Sequence, residues 1–566
     1  MRAVQAFARR PSVLLLLPAF AITAGIFAAA MLLLFSYSAY TFRGGQLTEE
    51  VSFLAWRKFF TDPFYWGVVG NTLQLALGVT AFSLLVGYPA AYALTKVRSQ
   101  KLLIAAYIII FSPLLVSVVV RAYGWILLLA DSGVINTALR ATGVIREPIP
   151  LIFNNTGVVI ALVHILLPFM IFPILSGLLQ FDNAQREAAN DLGADRIQTF
   201  ARVVLPLSLP GVIAGAQIVF TLAISAFVTP ALLGGGKVQV LSRDIWFNVV
   251  DVNWPIAAVE AIVLLALALS ALAVFDVVGR SLRSMRTLGT PRPRERSPGG
   301  PIDILLRLAL IAVLAFMLSP LAFIVVNSFN SAAFNTFPPS GFSLRWYQFV
   351  LSYAPFREGM VNSLIIAGAS TLIALAAGTP AALALVRGRI VGRASLRAFF
   401  LSPLIMPKVA IGIAVFILLI KLRLFGSLGS LIMVHSMLSL PFCIVLLTAS
   451  LVGVNRTQEE AAMDLGAGPL RTFWHVTMPQ IRAALIVAAV FAFITSFDET
   501  EASIFLVRPS NTTLPIQMFL YLEQYQNPTL AALSTLLIAL TVVVVVVGLR
   551  FVRGAELARL VARGRV

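Results

Sequence analysis

Residues 182–207 read DNAQREAANDLGADRIQTFARVVLPL, and residues 455–480 read NRTQEEAAMDLGAGPLRTFWHVTMPQ. The two stretches align without a gap at an offset of 273. Glu187 pairs with Glu460, Gly193 with Gly466, Phe200 with Phe473 and Pro206 with Pro479, and the offset still holds at Pro255 and Pro528. Upstream, GNTLQLALGVTAFSLLVGYPAAYAL from Gly70 pairs with VNSLIIAGASTLIALAAGTPAALAL from Val361. FSPLLVS from Phe111 pairs with LSPLIMP from Leu401. Apolar runs resemble one another by chance, but matched acids, glycines and prolines do not. The chain is a tandem duplication.

Composition says what was duplicated. Of 566 residues, 59% are hydrophobic and 12% charged, against about 25% charged in soluble domains. That excludes an ordinary soluble globule, and disorder requires the opposite composition. A spanning helix needs roughly 20 mostly apolar residues. Twelve stretches qualify: 12–36, 68–95, 102–130, 157–179, 211–233, 255–279, 303–327, 361–386, 397–420, 430–452, 483–506 and 528–549. The first follows Arg9 and Arg10 but is too long for a signal peptide and lacks a small-residue cleavage site. The expected fold is therefore an all-α polytopic membrane protein of two six-helix halves.

The net charge of +18 would suggest nucleic acid on a soluble protein. Here, with the N-terminus placed inside, 27 of the 42 Lys and Arg residues fall in inside segments. That bias favours both termini in the cytoplasm and no nucleic-acid partner. Segment 280–302 is rich in Arg, Pro and Gly and reads as a cytoplasmic linker between halves 1–279 and 303–566. Parallel repeats of this kind are related by a pseudo-two-fold along the membrane normal, with the pathway at their interface.

Each repeated polar stretch falls in an inside loop, 180–210 or 453–482, between the fourth and fifth spans of its half. Asp182 or Asn455 suits an N-cap, with Gln185 or Gln458 three residues on. Gly193 or Gly466 suits a left-handed position after a short Ala-rich helix. A second short helix should carry Phe200 or Phe473 and stop near Pro206 or Pro479. At these residues the chain resembles the permease subunits of type I ATP-binding-cassette importers, whose loop signature is EAA, three residues, then Gly. Glu187, Ala188, Ala189 and Gly193, with Glu460, Ala461, Ala462 and Gly466, match it. The resemblance implies that these loops couple to two copies of an ATPase subunit. It also implies delivery of a small-molecule substrate by a periplasmic or extracellular solute-binding protein.

The sequence has no GxxxxGK[ST] phosphate loop. Lys237 follows three glycines but precedes Val238. ATP and magnesium would therefore sit on the partner, and the chain itself needs no cofactor and has no catalytic residues. A 6+6 secondary transporter would carry its signature loop between the second and third spans, where this chain has only KVRSQK from Lys96. A non-transporting membrane scaffold would keep the repeated loop without a pathway.

The segments FVTPALLGGGKVQVLSRDIWFNVVDVNWP from Phe227 and SFDETEASIFLVRPSNTTLP from Ser496 resemble the two permease subunits of spermidine/putrescine importers, here fused. Ferric-iron and aminoethylphosphonate importers are alternatives, since fused permeases occur there too. Asp498, Glu499 and Glu501 fall in the expected eleventh span. Acids at membrane depth are expensive unless they face a cavity or a partner, so they are candidates for holding a cationic amine. Ser225 occupies the position matching Asp498. Glu260, Trp125 and Phe227 complete the candidate pathway. The competing reading pairs the acids with Arg121 or Lys408. Three histidines without metal spacing give no metal site. Pro113/Pro403 and Pro168/Pro441 are expected to kink helices, and Cys443 to act as a small buried hydrophobe.

Overall fold

The computed structural model describes residues 13–43, 46–179, 185, 188–189, 191–283, 301–543 and 546. Glu187, most of the linker and the C-terminal residues from 547 lie outside them. Helix α1 (Leu17–Tyr37) leads into an antiparallel hairpin, β1 (Tyr40–Arg43) and β2 (Gln46–Val51). Arg43 pairs with Gln46 in this hairpin. Apart from this one two-stranded hairpin, the described elements are helices, and the all-α fold class holds. The first half continues through α2 (Leu54–Thr61), α3 (Pro63–Lys96), α4 (Gln100–Phe111), α5 (Val118–Leu129), α6 (Val134–Ala141) and α7 (Asn155–Leu179). It ends with α8 (Leu205–Ile224), α9 (Val228–Leu233), α10 (Leu241–Val250) and α11 (Trp254–Arg283). The second half comprises α12 (Pro301–Ser328), α13 (Arg345–Ser352), α14 (Ala354–Arg387), α15 (Arg393–Ile405), α16 (Lys408–Lys421) and α17 (Leu428–Val452). It closes with α18 (Arg456–Asp464), α19 (Met478–Phe497), α20 (Leu514–Gln524) and α21 (Thr529–Val543).

The duplication reappears as helices of equal length. α3 and α14 have 34 residues each, α7 and α17 have 25, and α8 and α19 have 20. The close crossings are repeated too. A Cβ on Gly87 of α3 would meet Met170 of α7 at 3.1 Å, and one on Gly378 of α14 would meet Cys443 of α17 at 3.0 Å. Met170 and Cys443 are matched positions. Glycine there lets two backbones approach closely in a medium with no hydrophobic drive of its own. Cys443 is fully buried in this contact, as a small hydrophobe.

The described residues do not confirm the expected count of twelve spans. Ten described helices are long and apolar enough to cross a membrane, or eleven if the pair α15 and α16, bent by 98°, forms one broken span. The stretch 102–130 divides into α4, a 3₁₀ turn at Ser112–Leu115, and α5. The stretch 397–420 divides at Met406–Pro407. Pro113 and Pro407 lie at the two breaks, since proline lacks the N–H and forces the preceding residue away from helical geometry, whereas Pro403 lies inside α15. Pro168 and Pro441, by contrast, lie inside the unbroken helices α7 and α17. Of the last stretch, the described residues Thr529–Val543 form a shorter apolar helix.

The compact units cut across the sequence halves. One is drawn from Met1–Tyr37, Leu351–Met518 and Leu536–Val566, the other from Ser38–Val350 and Phe519–Thr535. In the first unit, Leu16 just before α1 and Ala19 within it pack on Ala377, Ala381, Ala384 and Leu385 of α14, with Phe400, Leu440 and Ile444. Small residues at helical spacing on α14 make the groove that α1 fills. In the second unit, α12 takes the corresponding role against the first half. His164 bonds the Met317 carbonyl at 3.2 Å, and a Cβ on Gly124 would meet Pro320 at 2.7 Å.

Candidate functional site: two repeated loops and an acidic turn

The second loop begins at Asn455, whose side chain accepts from the Thr457 N–H at 3.0 Å and caps α18. The helix ends in a Schellman arrangement. The Leu465 N–H bonds the Ala461 carbonyl at 3.1 Å, and the Ala467 N–H bonds Ala462 at 3.0 Å, with Gly466 at φ 86°. The first loop repeats this ending: Leu192 to Ala188 at 3.1 Å, Ala194 to Ala189 at 3.0 Å, and Gly193 at φ 81°. Paired alanines followed by Gly thus have a backbone reason. The Ala carbonyls accept the closing bonds, and only Gly enters the left-handed region without strain.

The chain then runs through four-residue helices, Arg196–Thr199 and Pro469–Thr472, into π-turns Phe200–Val204 and Phe473–Thr477. These continue directly into α8 and α19. The expected stop at Pro206 and Pro479 is corrected: both prolines lie in the first turn of α8 and α19, directly after the π-turns, and the helices run on past them.

What the loops expose was missed in the sequence. Leu192 is 88% and Leu465 90% exposed, and the matched pair Ile197 and Leu470 are 69% and 72% exposed. Glu460 is also exposed and pairs along its own helix with Arg456 at 3.0 Å. Each described loop thus offers an apolar knob beside two small alanines. The clue lay in the sequence, since Leu192/Leu465 falls next to the helix-ending glycine, where a side chain must leave the helix surface.

The acids occupy a turn beyond the eleventh stretch's helix. α19 ends at Phe497 and Asp498 is its C-cap, just as Ser225 is the C-cap of α8. The placement of the acids within a span is corrected accordingly. Glu499 is 2% exposed; its carboxylate takes Lys408 Nζ at 2.7 Å and the Ala502 N–H at 2.9 Å. Of the two pairing alternatives, the Lys408 one is realised for Glu499. Asp498 and Glu501 are only partly buried. Behind the turn, His435 of α17 bridges the Ser496 and Ser503 hydroxyls, each at 2.8 Å. Ser496 in turn meets Ser370 of α14 at 2.9 Å. A buried polar network of this kind holds the turn rigidly across several helices.

The remaining candidates are packed inside the second unit. Ser225 bonds back to Thr221 and Leu222 carbonyls of its own helix. Phe227 is fully buried against Trp246 and Phe519, and Trp125 against His164 and Phe316. Aromatic rings so enclosed supply packing area, not a solute-facing wall. Glu260 is fully buried in α11 and accepts from the Asn248 amide at 3.2 and 3.1 Å.

A family model described as binding-protein-dependent transport system inner membrane component matches residues 2–284 and 370–555. The spermidine/putrescine transport system permease protein PotB of Haemophilus influenzae is 36% identical over 202 residues, which is 36% of this chain and 70% of that protein. The putrescine transport system permease protein PotI of Escherichia coli is 32% identical over 255 residues, 44% of this chain and 88% of that protein. A crystal structure of a bacterial ABC transporter for import of the acidic polysaccharide alginate aligns with a TM-score of 0.41 at 19% identity, over 49% of this chain and 96% of that one.

Proposed function

The chain belongs to the binding-protein-dependent inner membrane transport components, and on that premise we propose that it alone forms the membrane pathway of an ABC importer for polyamine-class cations. The observation that carries this reading is the double family match along one chain, residues 2–284 and 370–555, together with relatives named for spermidine and putrescine. One fused chain then does the work of two permease subunits. Its two loops would lie in the cytoplasm and each receive one ATPase copy, the exposed Leu192 and Leu465 entering a groove while the alanines allow close approach. ATP and magnesium belong to those partners.

In this reading ATP binding closes the ATPase pair and opens the pathway outward. The external binding protein releases its cargo, and hydrolysis resets the cycle. Beside the Glu499–Lys408 pair, the partly buried carboxylates of Asp498 and Glu501 add negative charge at this turn that would attract an ammonium group. The test is reversal of both loop charges, Glu187→Lys with Glu460→Lys. It should abolish ATPase co-purification and ATP-driven spermidine uptake into sealed vesicles. Intact co-purification with stimulated hydrolysis in the double variant would sink the loop assignment. Uptake that is insensitive to vanadate but driven by an ion gradient would point to a secondary transporter.

A further inference from the structure

The second loop holds an acid that the docking reading leaves unused. Glu459 precedes the exposed Glu460 yet is only 8% exposed. Its carboxylate pairs with Arg387 Nε at 2.9 Å and accepts from the Thr477 hydroxyl at 2.8 Å. Arg387 is the last residue of α14 and also donates from Nη2 to the Val454 carbonyl at 3.0 Å, at the start of the loop. Thr477 is the last residue of the π-turn that feeds α19 and is 2% exposed. One buried carboxylate therefore joins the loop helix α18 to the ends of two long helices. A charge at such a place is tolerated because it is paired with Arg387 and accepts a hydrogen bond from Thr477.

The first half cannot build this arrangement. At the positions matching Arg387, Glu459 and Thr477 it carries Lys96, Arg186 and Val204. A base stands where the acid would be, and the hydroxyl is missing. Val204 is buried in the corresponding π-turn, 3% exposed, with no oxygen to offer. The two loops share their outer, exposed features and differ in what ties them to the helices behind.

We propose that Glu459 is a positioning residue that pins the second loop to α14 and α19, so that the two loops transmit ATPase movement unequally. A displacement of α18 is carried straight into both helices through the Arg387–Glu459–Thr477 contact. The first loop must act through its chain connections and other contacts. This rests on the reading that the loops dock ATPase subunits.

The test uses the full chain reconstituted in lipid nanodiscs with its ATPase and its spermidine-saturated binding protein. ATPase association is measured alongside the ratio of ATP turnover with and without the binding protein. Glu459→Gln keeps the side chain's shape and leaves the exposed docking residues untouched, so association should stay within about threefold of wild type. The stimulation ratio should fall about tenfold, a typical size for a coupling term. The exchanged pair, Glu459→Arg with Arg387→Glu, should recover most of that ratio. Thr477→Val, which keeps the ion pair, should lose part of it. A wild-type ratio in Glu459→Gln, a loss of association equal to the loss of stimulation, or no recovery in a well-folded exchanged pair would each overturn the inference. Failure of the wild-type chain to bind any ATPase would show in the control and would overturn the docking reading itself.

Discussion

Leu192→Ala with Leu465→Ala measures what the loops are for. Both side chains are almost fully solvent-exposed, 88% and 90%, so neither supports the permease's own core. Surface replacements of that kind change stability by about 0.5 kcal/mol or less. Burying a leucine from full exposure is worth about 1.5–3 kcal/mol. Alanine keeps part of that area, so each truncation should forfeit about 1.4 kcal/mol at an interface, or about tenfold in Kd. The two loops lie far apart in sequence and would meet separate ATPase copies, so their effects should add. The double variant should then bind a linked ATPase pair about a hundredfold more weakly. The assay is biolayer interferometry on nanodisc-embedded permease, with thermal unfolding as the control for the fold. An affinity within twofold of wild type, at an unchanged unfolding midpoint, would refute the assignment of these leucines as docking knobs. Quenching of a Trp placed at 465 by brominated lipid would then identify the membrane surface as what covers them.

Two further outcomes follow from the acidic turn. Lys408→Met strands the buried Glu499 carboxylate. Because the Lys408 side chain is 41% exposed, the loss should be about 2 kcal/mol, below the ~3–5 kcal/mol of a fully enclosed pair. Adding Glu499→Gln should restore most of it, and the order of unfolding midpoints in detergent checks this. Asp498→Asn should raise the KM for spermidine uptake about tenfold, the value of one charge-assisted contact to an ammonium, while ATPase association is unchanged. Identical uptake kinetics in that variant would count against an amine site at the turn.

The order of apolar stretches, the duplication and the loop motif were legible because they are local or periodic properties of the chain. Helix lengths in the two halves match pair by pair, as α7 with α17 and α8 with α19, since the same proline and glycine positions limit them. Span number was less legible. Hydropathy is blind to the geometry at Ser112–Pro113 and Met406–Pro407, where an apolar run stops being one straight helix. The same blindness put Asp498, Glu499 and Glu501 in a span: window averages ran past the helix end at Phe497.

By itself the sequence determined a duplicated membrane protein, and it determined the left-handed glycines at 193 and 466, because those follow from composition, periodicity and backbone sterics. Only the tertiary structure decided that α1 belongs with the second half and α12 with the first, since complementary grooves between distant helices leave no mark on either sequence. It alone separated Glu459, buried against Arg387 and Thr477, from its exposed neighbour Glu460. Adjacent acids look alike in a sequence, and what distinguishes them is which face of α18 each occupies and which charge stands behind it.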